Sequence, residues 1–314
     1  MPVAGHGGMK MPLMQPPVVD ITPFARGPEG RAAVVKEVRS ALESTGFLYV
    51  RGLPIAQPMV SGAFAAMRRF FALPPEMKRR YAYAGVDANF GYQGLEVESL
   101  DTHAPPDLKE SFTMRNALAV ESSVAWPDAS FRETAVAFYK ASVVAAYRML
   151  EVLGSCLDVP TNFFGSRHTG QNITLRFLHY PANLVPRGSQ LGAGAHTDYG
   201  SITLVFQQDV EGLEVCGMDG TWHRAPPVPG CALLNTGDLM QRWTNDRFRS
   251  TLHRVLPIAG PSDRYSIALF VDPDTAVNVE CLDSCVARNH PARYPPITAG
   301  EHIRRKIAAT HMPA

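Results

Sequence analysis

Between Asn172 and Val279 the chain is cut into short runs, residues 173–180, 201–207, 213–215, 231–235, 252–257 and 264–271. Each is apolar or alternating, with turn residues such as Asp219-Gly220 and Pro229-Gly230 between them. Runs of this length bury too little as helices and suit strands, where side chains alternate between two faces. Many short strands at near-even spacing leave sheet edges that are best removed by a sandwich or barrel. The expected fold class is therefore mainly β with flanking helices, around a double-stranded β-helix (jelly roll) core at residues 171–280.

The flanks carry helical periodicity. Residues 1–16 are Gly-, Met- and Pro-rich and expected to be disordered, and residues 17–125 form a leader region of helices plus strands. Within it, 18–21 and 47–50 read as strands. Residues 28–44 read as a helix opened by Pro28 and stopped at Gly46, with Ala32, Val35, Val38 and Leu42 as its buried stripe. A second helix over 59–72 ends at Leu73-Pro74-Pro75 and turns Phe64, Met67 and Phe71 to the core. Strands at 90–97 and 109–115, on either side of a Pro-containing loop, are expected to form one wall of a pocket. Residues 126–170 hold the longest helical pattern, about 131–157, with Val136, Tyr139, Val143, Tyr147, Leu150 and Leu153 on the side that backs a sheet. The tail, 281–314, contains a closing helix at about 299–310.

At 314 residues the chain is long enough for one large domain with a sizeable core. Thirty basic against 29 acidic residues give a net charge of +1, which argues against nucleic-acid or membrane-surface partners and for a small-molecule ligand. No apolar run suits a signal peptide or a membrane span, so a cytoplasmic monomer is expected. Five scattered cysteines, Cys156, Cys216, Cys231, Cys281 and Cys285, lack C-x-x-C spacing and support neither a disulfide framework nor a zinc knuckle.

Chemistry concentrates in the β region. His196 and Asp198 are two positions apart on extended backbone and so point to one side, where both can grip one metal. His253, on a later strand, is the candidate third ligand. Two histidines and one carboxylate on one face of an octahedral metal leave three positions open, the arrangement of non-haem Fe(II). Arg264 and Ser266 again share one strand face, where a guanidinium fork and a hydroxyl suit the far carboxylate of an oxoacid. Tyr180 lies just before a proline on a neighbouring run.

Taken together, His196-Thr-Asp198, His253-Arg-Val255 and Arg264-Tyr-Ser266 resemble the isopenicillin N synthase-like branch of the Fe(II)/2-oxoglutarate-dependent dioxygenases. The resemblance extends over Gly212-Leu-Glu-Val215, Asp219-Gly-Thr-Trp222, Pro226-Pro-Val-Pro-Gly230, Asn235-Thr-Gly-Asp238 and Thr244-Asn245. Upstream it includes Gly46-Phe-Leu-Tyr-Val50 and Asp107-Leu-Lys-Glu110, and it covers nearly the whole chain from about Pro17. It implies that His196, Asp198 and His253 bind Fe(II), that Arg264 and Ser266 bind the distal carboxylate of 2-oxoglutarate, and that Tyr180 assists there. The implied activity couples decarboxylation of 2-oxoglutarate, to succinate and carbon dioxide, with O2-dependent oxidation of a small organic substrate, hydroxylation being the default. One departure is Leu178, where plant members often carry Asn two positions before the tyrosine.

Two neighbouring readings share the same residues. In isopenicillin N synthase the matching Arg and Ser hold the substrate's own carboxylate and no keto acid is used, and Gly194-Ala-His-Thr-Asp-Tyr-Gly200 also resembles the bacterial ethylene- and succinate-forming enzyme. A non-catalytic jelly-roll binding protein is the reading from another class; it would bury a metal triad and a carboxylate clamp with no use for either. Phe90, Tyr92, Arg115 and Phe270 are the expected pocket-lining residues. His179 should face away from Tyr180 in a structural role, His223 should be exposed, Asp238 should bond a turn, and His168 is a minor candidate for substrate contact.

Overall fold

The structure, a computed structural model, describes residues 15–101, 103–119 and 125–310. The expected disorder of residues 1–16 falls outside these, apart from 15 and 16. Strand β1 (Val18–Asp20) leads into α1 (Pro28–Ser44), β2 (Phe47–Arg51), α2 (Gln57–Phe71) and the single turn α3 (Pro75–Lys78). Helix α1 has Pro28 in its first turn and gives way at Gly46, whose φ of +72° suits glycine and whose place a Cβ would take only 2.3 Å from the Arg249 carbonyl oxygen. Its buried stripe is Val34, Val38, Ala41 and Leu42. Val38 and Leu42 match the expected face, but the stripe is rotated so that Ala32 is exposed and Val35 half-buried, because tertiary packing selects which of two adjacent apolar rows is covered. Helix α2 starts before the expected residue 59, since Pro58 is well tolerated in a first turn.

Strands β3 (Phe90–Gln93) and β4 (Glu110–Arg115) follow, and β3 stops short of the expected residue 97. Beyond Gln93 the chain doubles on itself: Glu96 N donates to Asp107 O at 3.2 Å and Asp107 N to Glu98 O at 2.8 Å. Helix α4 (Ala129–Cys156) begins two residues before the expected 131, because the Asp128 carboxylate accepts from Phe131 N at 2.8 Å and caps it. Its buried face includes Tyr139, Leu150 and Leu153, broadened by Ala135, Ala145 and Ala146, while Val136, Val143 and Tyr147 lie half-buried at its margin.

The remaining strands are β5 (Ile173–Tyr180), β6 (Ala193–His196), β7 (Ile202–Gln207), β8 (Leu213–Cys216), β9 (Trp222–Arg224) and β10 (Cys231–Thr236). After the short helix α5 (Asp238–Trp243) come β11 (His253–Val255), β12 (Arg264–Val271), the paired β13 (Asn278–Val279) and β14 (Ile297–Thr298), and α6 (Ala299–Thr310). Eight strands form one sheet in the order β1-β2-β10-β7-β12-β5-β4-β3, and four form a second, β6-β11-β8-β9. One face of the large sheet, with Phe112, Met114, Ile173, Leu175, Phe177 and Leu204, packs into a core shared with α1, α2 and α4. Its other face, with Tyr49, Leu178, Tyr180, Leu233 and Ala268, meets Ala193, Leu213, Val215 and Val255 of the small sheet. Two sheets packed face to face with helices outside make a double-stranded β-helix. No helix among the described residues is long and apolar enough to cross a membrane.

Candidate metal centre

Alternation along the large sheet decides what can face the interior between the sheets. Cross-strand partners form rows there: Asn235, Thr203, Phe270, Thr174 and Arg115 in one, Leu233, Val205, Ala268, Arg176 and Thr113 in the next, then Gln207, Ser266, Leu178 and Ser111. Arg264 and Tyr180 pair beyond these. Polar groups at both ends of the interior are separated by Leu233, Val205 and Ala268 on the β10, β7 and β12 side, while Arg176 and Thr113 occupy the same row on β5 and β4.

At the first end, His196 closes β6 and His253 opens β11, and the two are paired directly across the antiparallel ladder with ring centroids 4.2 Å apart. Asp198 lies two residues beyond β6, not on the strand itself. Its main chain is pinned from behind by the start of α5, whose Asp238 N donates to Asp198 O at 2.8 Å while Leu239 N donates to Gly200 O at 3.1 Å. Only glycine fits at 237, where a Cβ would sit 2.5 Å from Gly200 O and 2.8 Å from Asp198 O.

The Asp198 carboxylate is oriented through one oxygen. Oδ2 accepts from Thr203 Oγ1 at 2.5 Å and from Asn235 Nδ2 at 2.6 Å. Oδ1 is left 4.0 Å from His196 Nε2 and 3.8 Å from His253 Nε2. Each imidazole is anchored through Nδ1, to Gly194 O at 2.7 Å and to Thr251 O at 3.1 Å, which puts the proton on Nδ1 and the lone pair on Nε2. Burial, followed by the neighbouring His253, pushes His196 down to about 3, so it stays a neutral donor. The three donor atoms lie within 4.8 Å of one another, and no other group of three His, Cys, Asp or Glu side chains among the described residues converges in this way. One anionic oxygen and two imidazole nitrogens suit a divalent first-row metal. Behind Gly200 sits a second carboxyl, Asp272, which burial and the nearby Asp198 push up to about 7.

At the second end, Arg264 is 1% exposed. Its Nη2 donates to Gln207 Oε1 at 2.9 Å, its Nη1 lies 3.4 Å from Ser266 Oγ, and its guanidinium sits 4.8 Å from the centre of the Tyr180 ring. Nε has no partner, and no ion pair to a carboxylate is formed among the described residues. Ser266 is flanked by Leu178 on β5 and Gln207 on β7, so the polar neighbour comes from the side opposite the leucine. A buried cation without a counterion is costly, and a bound carboxylate would relieve it.

Of the four expected pocket residues, Arg115 and Phe270 share the interior face with Thr203. Phe90 and Tyr92 do not, and that expectation is corrected. They alternate with Gly91 and Gln93 onto the helix side, where Phe90 packs against Phe112 and Trp126 and Tyr92 packs against Phe70 and bonds Glu110. His179 faces the helices as expected, bridging Glu110 and Asp263. His168 is fully buried and satisfied, by Phe164 O at 2.7 Å and Ser201 Oγ at 2.8 Å, leaving nothing for a substrate. His223 is half-buried rather than exposed, and Asp238 bonds Ser250 Oγ at 2.6 Å. Sequence reasoning missed Thr203 and Gln207 as partners of the site; the register that places them beside Asn235 and Ser266 is a tertiary fact.

Comparison with known proteins agrees with this geometry. Residues 170–273 match the 2OG-Fe(II) oxygenase superfamily and residues 16–133 the N-terminal region of non-haem dioxygenases in morphine synthesis. A 2-oxoglutarate-Fe(II) type oxidoreductase of Emericella nidulans is 35% identical, over 92% of this chain and 88% of its own. Clavatol oxidase of Penicillium crustosum is 30% identical over 99% of both. A full-length protein of Neurospora crassa, crystallised with α-ketoglutarate (2-oxoglutarate) and thymine, superposes with a TM-score of 0.84 at 28% identity, over 94% of this chain and 97% of that one. The chain thus belongs to the 2OG-Fe(II) oxygenase superfamily and is an Fe(II)/2-oxoglutarate-dependent dioxygenase.

Proposed function

We propose that His196 Nε2, His253 Nε2 and Asp198 Oδ1 hold Fe(II), and that Arg264 and Ser266 take the distal carboxylate of 2-oxoglutarate with Tyr180 alongside. The observation that carries the assignment is the buried, uncompensated Arg264 guanidinium lying across the same interior from the two histidines and the aspartate. With iron, 2-oxoglutarate and O2 in place, the site supplies the oxidative decarboxylation, to succinate and carbon dioxide, that drives oxidation of a substrate C–H bond.

The protein's share is positional. Thr203 and Asn235 fix which Asp198 oxygen faces the metal, and the Gly194 and Thr251 carbonyls fix both imidazole tautomers. Arg115 and Phe270 are proposed as substrate contacts on the same face. The substrate is a small organic metabolite, in keeping with the thymine bound by the Neurospora protein and the clavatol in the Penicillium enzyme's name, and hydroxylation is its outcome. Residues 17–125 serve as leader, 126–170 as backing, 171–280 as catalytic core and 281–314 as closing tail, in a cytoplasmic monomer.

Anaerobic addition of Fe(II) and 2-oxoglutarate should produce a visible charge-transfer band that Asp198→Ala abolishes, and a substrate screen should then release succinate. Oxygen consumption that proceeds equally well without 2-oxoglutarate would overturn the assignment of Arg264 and Ser266.

A further inference from the structure

Beside the line from the His-Asp cluster to Arg264, the interior holds polar atoms that neither end uses. Arg176 on β5 and Thr113 on β4 are direct cross-strand partners facing the same interior. Thr113 Oγ1 and Arg176 Nε are both buried and both without a hydrogen-bond partner. An unpaired buried donor costs about 1–3 kcal/mol, so two on adjacent strands are unusual unless something arrives to meet them. They lie one and two strands from β12, which carries Phe270, and two and three from β7, which carries Thr203; at about 4.8 Å per strand this is substrate distance from the Asp198 end.

The local charges indicate what would arrive. The remaining hydrogen bonds of Arg176 run through Nη2, to Glu98 Oε2 and Ser111 Oγ at 2.7 Å each and to Gln93 Oε1 at 3.4 Å. Lys109 reaches Glu98 at 3.4 Å and also pairs with Asp107, whose other oxygen accepts from Gly194 N at 2.9 Å on the strand of His196. Two cations and two carboxylates therefore compensate each other, in contrast to Arg264, which has no acid. A carboxylate entering beside Arg176 would have to compete with Glu98 and would leave this otherwise neutral cluster with one negative charge in excess, since Arg115 lies in the next row towards Asp198 and is not part of it. An uncharged carbonyl oxygen would accept from Arg176 Nε–H and Thr113 O–H without disturbing any existing pair.

We infer that Arg176 and Thr113 form the substrate-orienting subsite, and that it selects an uncharged small molecule bearing a carbonyl group, as in an amide, lactam or ketone, over the corresponding carboxylate. The inference rests on the proposed iron and 2-oxoglutarate assignment. Glu98 and Ser111 are positioning residues that hold the guanidinium in place through Nη2.

The test uses the full chain loaded anaerobically with Fe(II) and 2-oxoglutarate, and two probe pairs without chelating groups, benzamide with benzoate and 2-naphthamide with 2-naphthoate. Binding is read by ligand-detected NMR and by perturbation of the charge-transfer band. Wild type should bind at least one neutral probe at least fivefold more tightly than its carboxylate partner. Thr113→Val and Arg176→Lys, which keep shape and charge respectively, should each weaken that probe tenfold or more while the band itself still forms. A wild type that forms the band but prefers the carboxylates, or binds neither neutral probe, overturns the inference. So do variants whose affinity for the neutral probe stays within twofold. Failure of the band to form in wild type would instead defeat the underlying iron and 2-oxoglutarate assignment, so the two failures are distinguishable.

Discussion

Asp198 illustrates how much of a metal site is written in residues that would never touch the metal. Its Oδ2 takes two short hydrogen bonds, from Thr203 and Asn235, and these leave Oδ1 facing the imidazoles. Thr203→Val removes one of them while keeping the side-chain volume. The expected outcome is a 10- to 100-fold loss in Fe(II) affinity, in the range usual for partners of metal ligands, with about 1–2 kcal/mol of stability lost. An Fe(II) titration against wild type checks it, and unchanged affinity would remove Thr203 from the site. His168 makes a different kind of statement. Burial holds its ring down to about 4, below the 6.5 of an unfolded histidine, so the folded chain keeps it neutral while the unfolded chain takes up a proton. The unfolded state therefore binds more protons below pH 6.5, and the stability that His168 contributes is complete above that pH and lost as pH falls towards 4. Between pH 7 and 4.5 the loss is on the order of 2 kcal/mol. Urea unfolding of metal-free wild type and His168→Gln should show the gap between them narrowing by that amount on acidification. A gap independent of pH would contradict it.

At the scale of elements, the turn after β6 and the start of α5 form one unit, because the first amides of the helix donate to the carbonyls that flank the metal-facing carboxylate. Gly237→Ala drives a Cβ into Gly200 O and Asp198 O, both backbone atoms that cannot swing aside. It should cost about 1–3 kcal/mol and weaken Fe(II) binding as well. Gly230 is the matched control: its φ is +73° but nothing lies within 4 Å of its would-be Cβ, so Gly230→Ala should cost strain alone and leave Fe(II) affinity intact. Thermal unfolding and metal titration of the two variants separate these outcomes. The same elements show what a sequence can reveal. Strands β5, β7, β10 and β12 were legible because each alternates or is wholly apolar over five to eight residues; His196 with Asp198 and Arg264 with Ser266 stood out because a spacing of two puts them on one face, and His253 only as a histidine on a later strand. Phe90 and Tyr92 were misread because alternation states that they share a face without stating which one; the helix layer claimed them. Arg176 was passed over for the same reason, since an isolated arginine in an apolar run carries no sign of a facing Thr113 until the β4–β5 register is known.

For the molecule as a whole, the two ends of the interior differ in what the empty protein must endure. The His-Asp end carries the well-bonded Asp198 carboxylate with Asp272 behind it and Arg115 in the same row, so charges of both signs meet there, whereas the Arg264 end carries a buried charge that burial itself disfavours and no acid offsets. Folding without cosubstrate therefore works against that cation, and binding 2-oxoglutarate should stabilise the whole fold by the mass-action gain, about 2.7 kcal/mol at 100 times Kd, with the relief of the cation contained in Kd itself. Arg264→Met keeps the length and removes the charge. Replacing a buried charge with an apolar group of similar size is often neutral or stabilising, so the metal-free, cosubstrate-free variant should melt no lower than wild type although it loses the bond to Gln207. Its melting temperature should then no longer respond to 2-oxoglutarate at concentrations that raise that of the anaerobic Fe(II)-loaded wild type by several degrees. Differential scanning fluorimetry with and without 2-oxoglutarate reads both effects. A variant that is strongly destabilised when empty, yet still gains the full cosubstrate shift, would mean that Arg264 is a structural cation and that the distal carboxylate is held elsewhere.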